Sequence, residues 1–573
     1  MAENERQMLN RRLQELKSIR STHEVNWRDI TDQMLPYRAR WSDADHNKGE
    51  PLSTTLINNT PSRALRVLSA GLMAGITSPS RIWFHLTTSQ KELNDKHPVR
   101  SYLDAVERII RETLAQAGFY QSLADGVYRD LALIGTGATF LEEDENTRVR
   151  FEPLTIGEYF IDVDKSGKVD TLFRRRPMTV RQIVEQFGID NVSPMVKRAF
   201  EQAHLGQTFN IVQAVYPNKE WKPNRADVDG KRFASRWFEE GSPHDREGAP
   251  HFLREGGYEE FPAMVPRWNP RAGEVWGRGS PGWEAVGDAK ALQHLERRLA
   301  ALIDKTANPP MRGSDAMRDA RASLLPGDIT YVPSGAGHVY EPAINIPPAA
   351  IVATQKHIQR HEQRINQTFF VDLWMSLLSD QRAQRPTATE VEARREEIML
   401  QLGPLLENLN SGLLEPAVTR VFAILDRAGM LPEPPPELEG TEGAVKVEFI
   451  SVLHQAQKMT GIVGVRELMN MSQLLAGMGR SDALDKLNVD EIMDELADML
   501  GLKPELVLSD DQVQEIREAK AQQQQAQQQG EAMLKATEGA RNLSGVDPQQ
   551  MSELASTLAP AAAAGAQGGL GPV

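Results

Sequence analysis

Three short stretches of the sequence combine residue types and spacings that occur in catalytic or ligand-binding sites. Residues 133–140, LIGTGATF, contain two glycines arranged as in a nucleotide-binding loop. Residues 361–365, HEQRI, start like the zinc-binding helix of a metalloprotease. Residues 162–173, DVDKSGKVDTLF, begin with two aspartates, a serine and a glycine at positions that a calcium loop uses. The chemistry of these stretches would be phosphate, zinc and calcium binding.

Each stretch also lacks a group that its chemistry requires. The glycine loop is followed by a strand pattern instead of a helix and has no third glycine, which indicates a structural turn. The HEQRI stretch has no second histidine four residues after His361, so a solvent-exposed helix face is predicted. The calcium-like stretch has Phe173 at its twelfth position, where a bidentate glutamate is required, and this favours a β-hairpin turn.

Other signatures of enzymes are missing from the sequence. The phosphate-binding motif GxxxxGK(S/T) does not occur, which argues against a P-loop ATPase. There are no cysteines, and this excludes disulfides and thiolate metal sites. No Ser/His/Asp arrangement can be proposed from spacing alone. We therefore predict that the protein is not an enzyme and has no cofactor and no metal site.

The net charge of −14 is concentrated in the C-terminal part of the chain. Residues 431–573 contain 22 acidic and 10 basic residues, a net of −12, which leaves −2 for residues 1–430. An acidic surface argues against wrapping nucleic acid, because wrapping requires basic patches. It suits a surface beside which nucleic acid passes without binding. Solubility alone would also explain it.

The hydropathy pattern predicts no membrane partner. No apolar run reaches the roughly 18–20 residues that are needed to span a bilayer. Residues 1–20 have the pattern of a charged amphipathic helix without the apolar core of a signal peptide. We expect the protein to stay in the cytoplasm until it joins an assembly.

Helix and strand patterns are mixed in residues 1–279. Apolar residues have helical spacing in residues 62–76, 98–119 and 179–188. Alternating or continuous apolar runs predict strands, and these runs are residues 137–144, 149–164, 169–178, 211–217 and 232–240. Helical patterns dominate after this part, so the predicted fold class is α+β, mainly helical.

Two long helices are predicted to flank a compact insertion. The first covers residues 280–307, with Pro281 just inside its start and an Asn-Pro-Pro sequence after its end. The second covers residues 349–374. Residues 309–347 between them are rich in proline and glycine and include a strand-like DITYVP. Two such helices form a hairpin with a folded tip.

The second long helix has two distinct faces. Its apolar stripe consists of Ile351, Ile358, Ile365 and Phe369. Lys356, Arg360 and Arg364 recur every four residues and therefore lie on one other face. This basic face is a candidate for contacts with an anionic partner or with acidic side chains of a neighbouring subunit.

The segment WMSLLSDQRAQRPTATEVEARREE, residues 374–397, separates the second long helix from a third. Pro386 disfavours helix at the residue before it. Capping boxes starting at Thr387 or Thr389 then restart the helix. A polar loop is predicted before the restart, and its candidate contact residues are Gln381, Arg382, Gln384 and Arg385.

The third helix, residues 389–429, is predicted to kink at Gly403 and Pro404. Proline removes a backbone hydrogen bond and clashes with the preceding turn. Beyond this helix, residues 444–450 have a strand pattern and residues 452–500 the pattern of several short helices. Residues 509–536 begin with a capping box and predict a polar, Gln-rich helix, and the Ala/Gly-rich tail is predicted to be disordered.

The order of these parts resembles the portal proteins (head-to-tail connecting proteins) of short-tailed, podovirus-type phages. Four stretches carry the resemblance, namely NRRLQELKSIRSTHEVNWRDITDQMLPYRARW, TPSRALRVLSAGLMAGITSPSRIWFHL, VYRDLALIGTGATFLEED and VEFISVLHQAQK. Together with the order of helix, insertion, helix, loop and kinked helix, they cover residues 1–500. The set in this order is much more specific than any one stretch.

The resemblance implies a portal fold and a division of the chain into named parts. These are a wing (1–279), a first stem helix (280–308), a clip (309–347), a second stem helix (348–374), a channel loop (375–388), a kinked helix with a return to the wing (389–449), a crown (450–508), a C-terminal helical barrel formed by the Gln-rich helix (509–541) and a disordered tail (542–573). The Gln-rich helix and the tail depart from a minimal portal protein.

The resemblance also implies a function. A twelve-subunit ring (a homododecamer) would surround a channel for double-stranded DNA at one capsid vertex of the virion, after assembly in the host cytoplasm. Its partners would be the large subunit of an ATP-driven terminase, tail adaptor proteins, and major capsid and scaffold proteins. The loop residues Arg382 and Arg385 would contact phosphates, with Gln381 and Gln384 as neutral contacts. A motor supplied by the terminase agrees with the missing P-loop.

Several alternatives stay open at this point. The segment after Trp374 could be an ordinary surface loop. The basic stripe Lys356, Arg360 and Arg364 could line the channel or form salt bridges with a neighbouring subunit. A structural adaptor or scaffold protein of the virion would share the long helices but need no channel. A nuclease or ATPase of the packaging machinery would need a carboxylate cluster or a P-loop, and neither pattern occurs.

Overall fold

The computed structural model describes residues 5–38, 41, 56–88, 90–94, 96–223, 225, 228–241, 252–313, 340–378, 403–438, 445–449, 492–493, 513–514 and 516–523. The chain divides into two units, Met1–Leu468 and Met469–Val573. In the second unit, the described residues 492–493, 513–514 and 516–523 are helical. The predicted crown, barrel helix and tail otherwise lie outside the described residues.

The first unit mixes helices and strands, as the sequence predicted. Its helices are α1 (Glu5–Met34), α2 (Thr60–Ile76), α3 (Lys91–Asn94), α4 (His97–Gln116), α5 (Phe119–Ser122), α6 (Tyr128–Ile134), α7 (Val180–Phe187), α8 (Pro194–Glu201), α9 (Pro281–Ala307), α10 (Pro348–Thr368), α11 (Val371–Leu378), α12 (403–409) and α13 (Glu415–Arg427). Single π-helical turns occupy Leu123–Val127 and Asn410–Leu414, and 3-10 turns occupy Val228–Gly230 and Pro436–Leu438.

The strands of the first unit are β1 (Phe84–Thr88), β2 (Ala138–Asp144), β3 (Arg148–Leu154), β4 (Tyr159–Val163), β5 (Val169–Thr179), β6 (Thr208–Pro217), β7 (Phe233–Glu239), β8 (Arg254–Tyr258), β9 (Ala263–Met264), β10 (Met311–Gly313), β11 (Tyr340–Pro342) and β12 (Val445–Phe449). They form an antiparallel sheet in the order β4-β5-β6-β7-β8, a sheet in the order β3-β2-β9, and the pairs β1-β12 and β10-β11.

The sheet β4-β5-β6-β7-β8 is covered by helices on both faces. Neighbouring strand residues point to opposite faces, so Trp237 packs with α7 and α8 while Phe238 packs with Leu9 and Leu13 of α1. Helix α7, in the predicted helical stretch 179–188, starts with a capping box, in which Thr179 N–H donates to Gln182 Oε1 at 2.9 Å. The first half of α1 therefore packs against one face of this sheet.

The main hydrophobic core brings together parts that are far apart in the sequence. It contains buried side chains of α1, α2, α4, α6, α9, α10 and α13 together with the sheet β3-β2-β9. Strand β12 returns from the C-terminal side and pairs with β1, with Phe84 opposite Phe449. The strand predicted at residues 444–450 is therefore confirmed, and its pairing places it beside the N-terminal part of the chain.

The second long helix differs from its prediction as one helix over 348–374. Helix α10 ends at Thr368, and a turn at Phe369 and Phe370 separates it from α11. Phe370 has a φ of +54°, a left-handed conformation that ends a helix. Phe369 is fully buried, so tertiary packing and not local helix propensity decides where α10 stops.

The third long helix contains a π-helical turn at Asn410–Leu414, in which Glu415 N–H donates to Asn410 O. Pro416 follows this turn, and its missing N–H accounts for the irregularity. Gly403 and Pro404 lie at the first described residues of α12. The kink expected there stays a prediction, because residues 379–402 lie outside the described residues.

Candidate functional site

The candidate site is the pair of long helices α9 and α10. The end of α9 and the start of α10 both adjoin the ribbon of β10 and β11, so the two helices run antiparallel. The ribbon pairs Met311 with Pro342 and Gly313 with Tyr340. The rest of the predicted clip, including DITYVP, lies outside the described residues. The described part is a helical hairpin with a short β-ribbon toward its tip.

The N-terminal end of α9 packs against the last turn of α6 through close backbone contact. Ser280 Oγ donates to Leu133 O at 3.2 Å, and Trp283 Nε1 donates to Ile134 O at 2.9 Å. A Cβ added to Gly282 would overlap the backbone carbonyl of Leu133. Only glycine permits this approach, so α9 leaves the core in one direction.

The glycine stretch at residues 133–140 serves this junction. Gly135 has a φ of +88° and ends α6, and a Cβ added there would lie 2.8 Å from Gly277 O. Gly277 N–H in turn donates to Thr136 Oγ1 at 3.0 Å. The predicted structural turn is confirmed, and its role is to let two backbones meet.

Polar contacts hold the two long helices together. His361 Nδ1 on α10 lies 2.7 Å from Asp288 Oδ1 on α9. The side-chain amide of Asn58 donates to Glu296 Oε1 on α9 at 2.8 Å and to Glu362 Oε1 on α10 at 2.9 Å. The prediction of a solvent-exposed face for HEQRI is therefore wrong for His361 and Glu362, because both side chains are partly buried in these contacts.

Gln293 of α9 forms hydrogen bonds with the segment that lies just before α2. Its Oε1 accepts hydrogen bonds from the backbone N–H groups of Ile57 at 2.7 Å and Asn58 at 2.9 Å. Its Nε2 donates to Asn58 O at 2.7 Å. Gln293 is 4% exposed, so these bonds replace water at a buried amide. The contact fixes Asn58 in the position from which it reaches both long helices.

The predicted basic stripe lies on the exposed face of α10. Lys356, Arg360 and Arg364 are all exposed. Arg364 Nη1 lies 3.5 Å from Asp288 Oδ1, so this residue shares the carboxylate that His361 contacts. For Lys356 and Arg360, the described residues of the same subunit provide no ion pair.

A row of glutamines runs beside the basic stripe, and the sequence reasoning missed it. All its members are exposed and recur every four residues, and they are Gln355, Gln359, Gln363 and Gln367. The signal was present in the sequence as a second four-residue repeat, one position before the basic one. Together the two rows make a continuous polar face along α10.

The outer half of the helix pair exposes large apolar side chains. Ile303 of α9 is 49% exposed, and Val352 of α10 is 50% exposed. Met311 and Ile344, near the β-ribbon, are also exposed. By contrast, Leu292 and Ile365, which lie farther from the β-ribbon, are buried. The apolar surface thus continues beyond what one subunit covers.

His23 lies beside the segment that leads into α9. It stacks on Trp27 with ring centroids 5.4 Å apart. Burial lowers the pKa of His23 below its ordinary value of 6.5, and the nearby positive charge of Arg278 adds to this, while Glu274 opposes it. The fold therefore favours the neutral imidazole.

The calcium-like stretch is a β-hairpin turn between β4 and β5, as predicted. Asp164 Oδ1 accepts hydrogen bonds from Ser166 N at 2.8 Å and Lys168 N at 2.9 Å. Gly167 has a φ of +81° at the turn. Hydrogen bonding from Ser166 lowers the pKa of Asp164, so its carboxylate serves the turn.

The described residues contain neither a metal-type cluster of side chains nor a helix that could span a membrane. No group of three or more His, Asp or Glu side chains there comes together as a metal site requires. None of the described helices has the length and apolar character needed to cross a membrane. The predicted loop contacts Gln381, Arg382, Gln384 and Arg385 lie outside the described residues and stay predictions.

Comparison with known proteins gave matches along most of the chain. The model of the family described as bacteriophage head to tail connecting protein matches residues 6–508. The portal protein of Salmonella phage epsilon15 is 38% identical over 569 residues, which cover 99% of this chain and 100% of that protein. The probable portal protein of Bordetella phage BPP-1 is 35% identical over 555 residues, covering 96% of this chain and 97% of that protein.

A solved structure gave a weaker likeness. The virion of a native gene transfer agent particle contains a chain that aligns with 78% of this chain and 91% of its own length, at 13% identity and a TM-score of 0.31. This TM-score is too low to support a statement about the fold.

Proposed function

This chain belongs to the bacteriophage head to tail connecting protein family and functions as a portal protein, and we propose that twelve copies form a ring around a DNA channel at one capsid vertex. The observation that carries the proposal is the 38% identity to a portal protein over that protein's entire length. The matching relatives are named as a portal protein and a probable portal protein, and neither name is that of an enzyme.

In this proposal the parts of the chain take the following roles. Residues 1–279, with the return strand β12, form the wing. Helices α9 and α10 form the stem, whose second helix stops at Thr368. The β10–β11 ribbon is the base of the clip. Residues 375–388 are the channel loop, 450–508 the crown and 509–541 the barrel helix, with 542–573 as a disordered tail.

Subunit contacts along the stem are supported by the exposed apolar residues of its outer half. In a free subunit, Ile303 and Val352 each expose about half of their surface to water. A neighbouring subunit in a ring would cover them and stabilise the assembly by the hydrophobic effect. A ring also closes, so every copy finds the same partner surface.

The polar face of α10 suits the wall of a channel through which DNA moves. Lys356 and Arg360 would contact phosphates, and Arg364 would do so in part, since Asp288 shares its charge. The glutamine row offers neutral hydrogen bonds. In a ring of twelve copies the wall would combine many cations with rows of neutral glutamines. The neutral rows limit the number of neutralised phosphates, and each neutralised phosphate adds to affinity through counterion release.

The proposed partners follow from the family and not from a contact in the described residues. The large terminase subunit would dock at the clip and supply the ATP-driven motor during packaging. Tail adaptor proteins would replace it afterwards, while the wing would face major capsid and scaffold proteins. The protein would assemble in the host cytoplasm and end in the virion.

Electron microscopy of purified particles tests the ring directly. We expect class averages with a central hole, and their loss in Ile303→Glu and Val352→Glu, because a buried carboxylate at the contact is costly. Ala301→Glu, at an exposed position on the other side of the same helix, should keep the rings. Open rods or particles without a hole in the parent protein would favour the alternative, a structural adaptor or scaffold protein without a channel.

A pair of charge-neutral variants tests the channel face. Lys356→Gln with Arg360→Gln should leave ring formation intact and change how well assembled heads package and retain DNA. Lys219→Gln, an exposed lysine after β6, is the matched control. Loss of rings with the stem variants would instead show that these residues form salt bridges with a neighbouring subunit.

A further inference from the structure

Helix α11 starts at a strained turn, and its direction depends on what it packs against. Phe370 has a φ of +54°, which is unfavourable for a bulky residue and persists only when surrounding contacts impose it. Trp374 lies in the first turn of α11, and its backbone N–H donates to Phe370 O at 3.1 Å. The Trp374 side chain is 6% exposed. Its packing is therefore a candidate for the contact that holds the turn.

The indole of Trp374 lies on two glycines of α2. A Cβ added to Gly71 would be 2.6 Å from the Cγ of Trp374, and one added to Gly75 would be 3.1 Å from its Cζ3. Gly71 and Gly75 are four residues apart and share one helix face. Because these two glycines have no side chains, they leave a recess, here called the seat, into which the indole ring fits.

The seat is shaped for a ring but does not satisfy the indole completely. The Nε1 atom of Trp374 is buried and has no hydrogen-bond partner among the described residues. An unpaired buried donor opposes the apolar gain of burial. A phenylalanine would occupy much of the seat without bringing this donor, which makes Trp374→Phe an informative conservative variant.

We infer that Trp374 is a positioning residue, whose contact with Gly71 and Gly75 sets the direction in which the chain leaves α11. The chain then reaches Arg382 and Arg385, eight and eleven residues after Trp374. The consequence for DNA rests on the proposed function, in which these arginines face the channel. The positioning of α11 itself does not depend on it.

A spin label on α11 tests the positioning without DNA. The chain has no cysteines, so Met375→Cys creates a unique labelling site at an exposed position of α11. We expect the spectrum of a label on an ordered helix in the parent ring. Trp374→Ala should lose this ordered component, and Trp374→Phe should keep it. Asp372→Ala, exposed on the same helix, should change nothing.

A milder variant keeps the test decisive if Trp374→Ala does not fold. Gly75→Ala requires the ring to shift by only a few tenths of an ångström, so we expect folded rings with part of the ordered component lost. An ordered spectrum unchanged by Gly75→Ala and by any folded Trp374→Ala would overturn the inference and leave Trp374 as a filler of the core.

DNA retention supplies the second readout. Heads built with Trp374→Ala rings, or with Gly75→Ala rings where the former do not fold, should retain less DNA than heads with Trp374→Phe rings of equal ring stability. Equal retention would overturn the link to the downstream arginines. If the Arg382→Ala and Arg385→Ala variants themselves leave DNA handling unchanged, the proposed function of the loop fails, whereas the label spectra still decide the role of Trp374.

Discussion

His361 Nδ1 on α10 lies 2.7 Å from Asp288 Oδ1 on α9. The two residues are 73 positions apart in the sequence, and their contact joins the two helices. Arg364 approaches the same oxygen at 3.5 Å. One carboxylate thus receives two donors from consecutive turns of α10. The pair shows that the hairpin of α9 and α10 is held by polar contacts as well as by apolar packing.

Replacing this carboxylate should weaken the hairpin. Asp288→Asn keeps the size of the side chain but removes the charge that both donors contact. We expect a loss of about 1–3 kcal/mol in the free energy of unfolding, at the lower end because Asp288 is 24% exposed. Urea unfolding measures it. Asp304→Asn, exposed on the same helix, should stay within about 0.5 kcal/mol of the parent, and equal losses would contradict a role for the contact.

Two glycines of α9 should respond to alanine in opposite ways. Gly282→Ala places a methyl group into the Leu133 carbonyl, so we expect a large loss of stability, on the order of several kcal/mol, or no folded protein. Gly287 has open space around it, and Gly287→Ala should stabilise the helix by about 0.5–1 kcal/mol. Thermal unfolding of both variants distinguishes them. A mild effect at Gly282 would mean that the α6–α9 junction adapts.

Acid should destabilise the protein partly through His23. Its folded-state pKa lies below 6.5, mainly because of burial, so the unfolded chain binds the proton more readily. The contribution of neutral His23 to the free energy of unfolding is therefore fully present above pH 6.5 and is lost as the pH falls through the lowered pKa. His23→Phe keeps the stack on Trp27 and should reduce this loss. Unfolding free energies measured across this range test it, and identical pH profiles for parent and variant would count against the assignment.

Two double variants test the proposed channel loop separately from the predicted helix restart. Arg382→Ala with Arg385→Ala should leave ring formation and thermal stability within about 0.5 kcal/mol and reduce DNA retention in heads, because exposed substitutions rarely affect the fold. Thr387→Ala with Thr389→Ala removes the helix caps at roughly 1 kcal/mol each and should lower stability. If the arginine pair disrupts rings while surviving rings package DNA normally, the loop is an intersubunit connector.

Local signals predicted the elements whose ends are chemically marked. Pro281 predicted the start of α9, and the helical pattern ending at Gly188 predicted α7. Asp164 and Gly167 predicted the hairpin turn after β4. In each case the residue satisfies its own neighbours along the chain, so the information is contained in a few consecutive letters.

The same reasoning failed where distant residues decide the outcome. Residues 149–164 were predicted as one strand, but Thr155 and Glu158 form a turn, and β3 and β4 join different sheets. Helix α10 stops at Thr368 although its apolar spacing continues to Trp374. A strand or helix pattern records which side chains are apolar and cannot record which partner covers them.

The sequence by itself determined the class of the fold, the long helix pair and, through its similarity to portal proteins, the family of the chain. The repeat of Lys356 and Arg360 at four-residue spacing was enough to place them on one face of α10. Only the tertiary structure decided that His361 and Glu362 turn inward, that β12 pairs with β1, and that Gly71 and Gly75 receive Trp374. These contacts join residues between 73 and 365 positions apart, and their free energy depends on shapes that exist only once the core has formed.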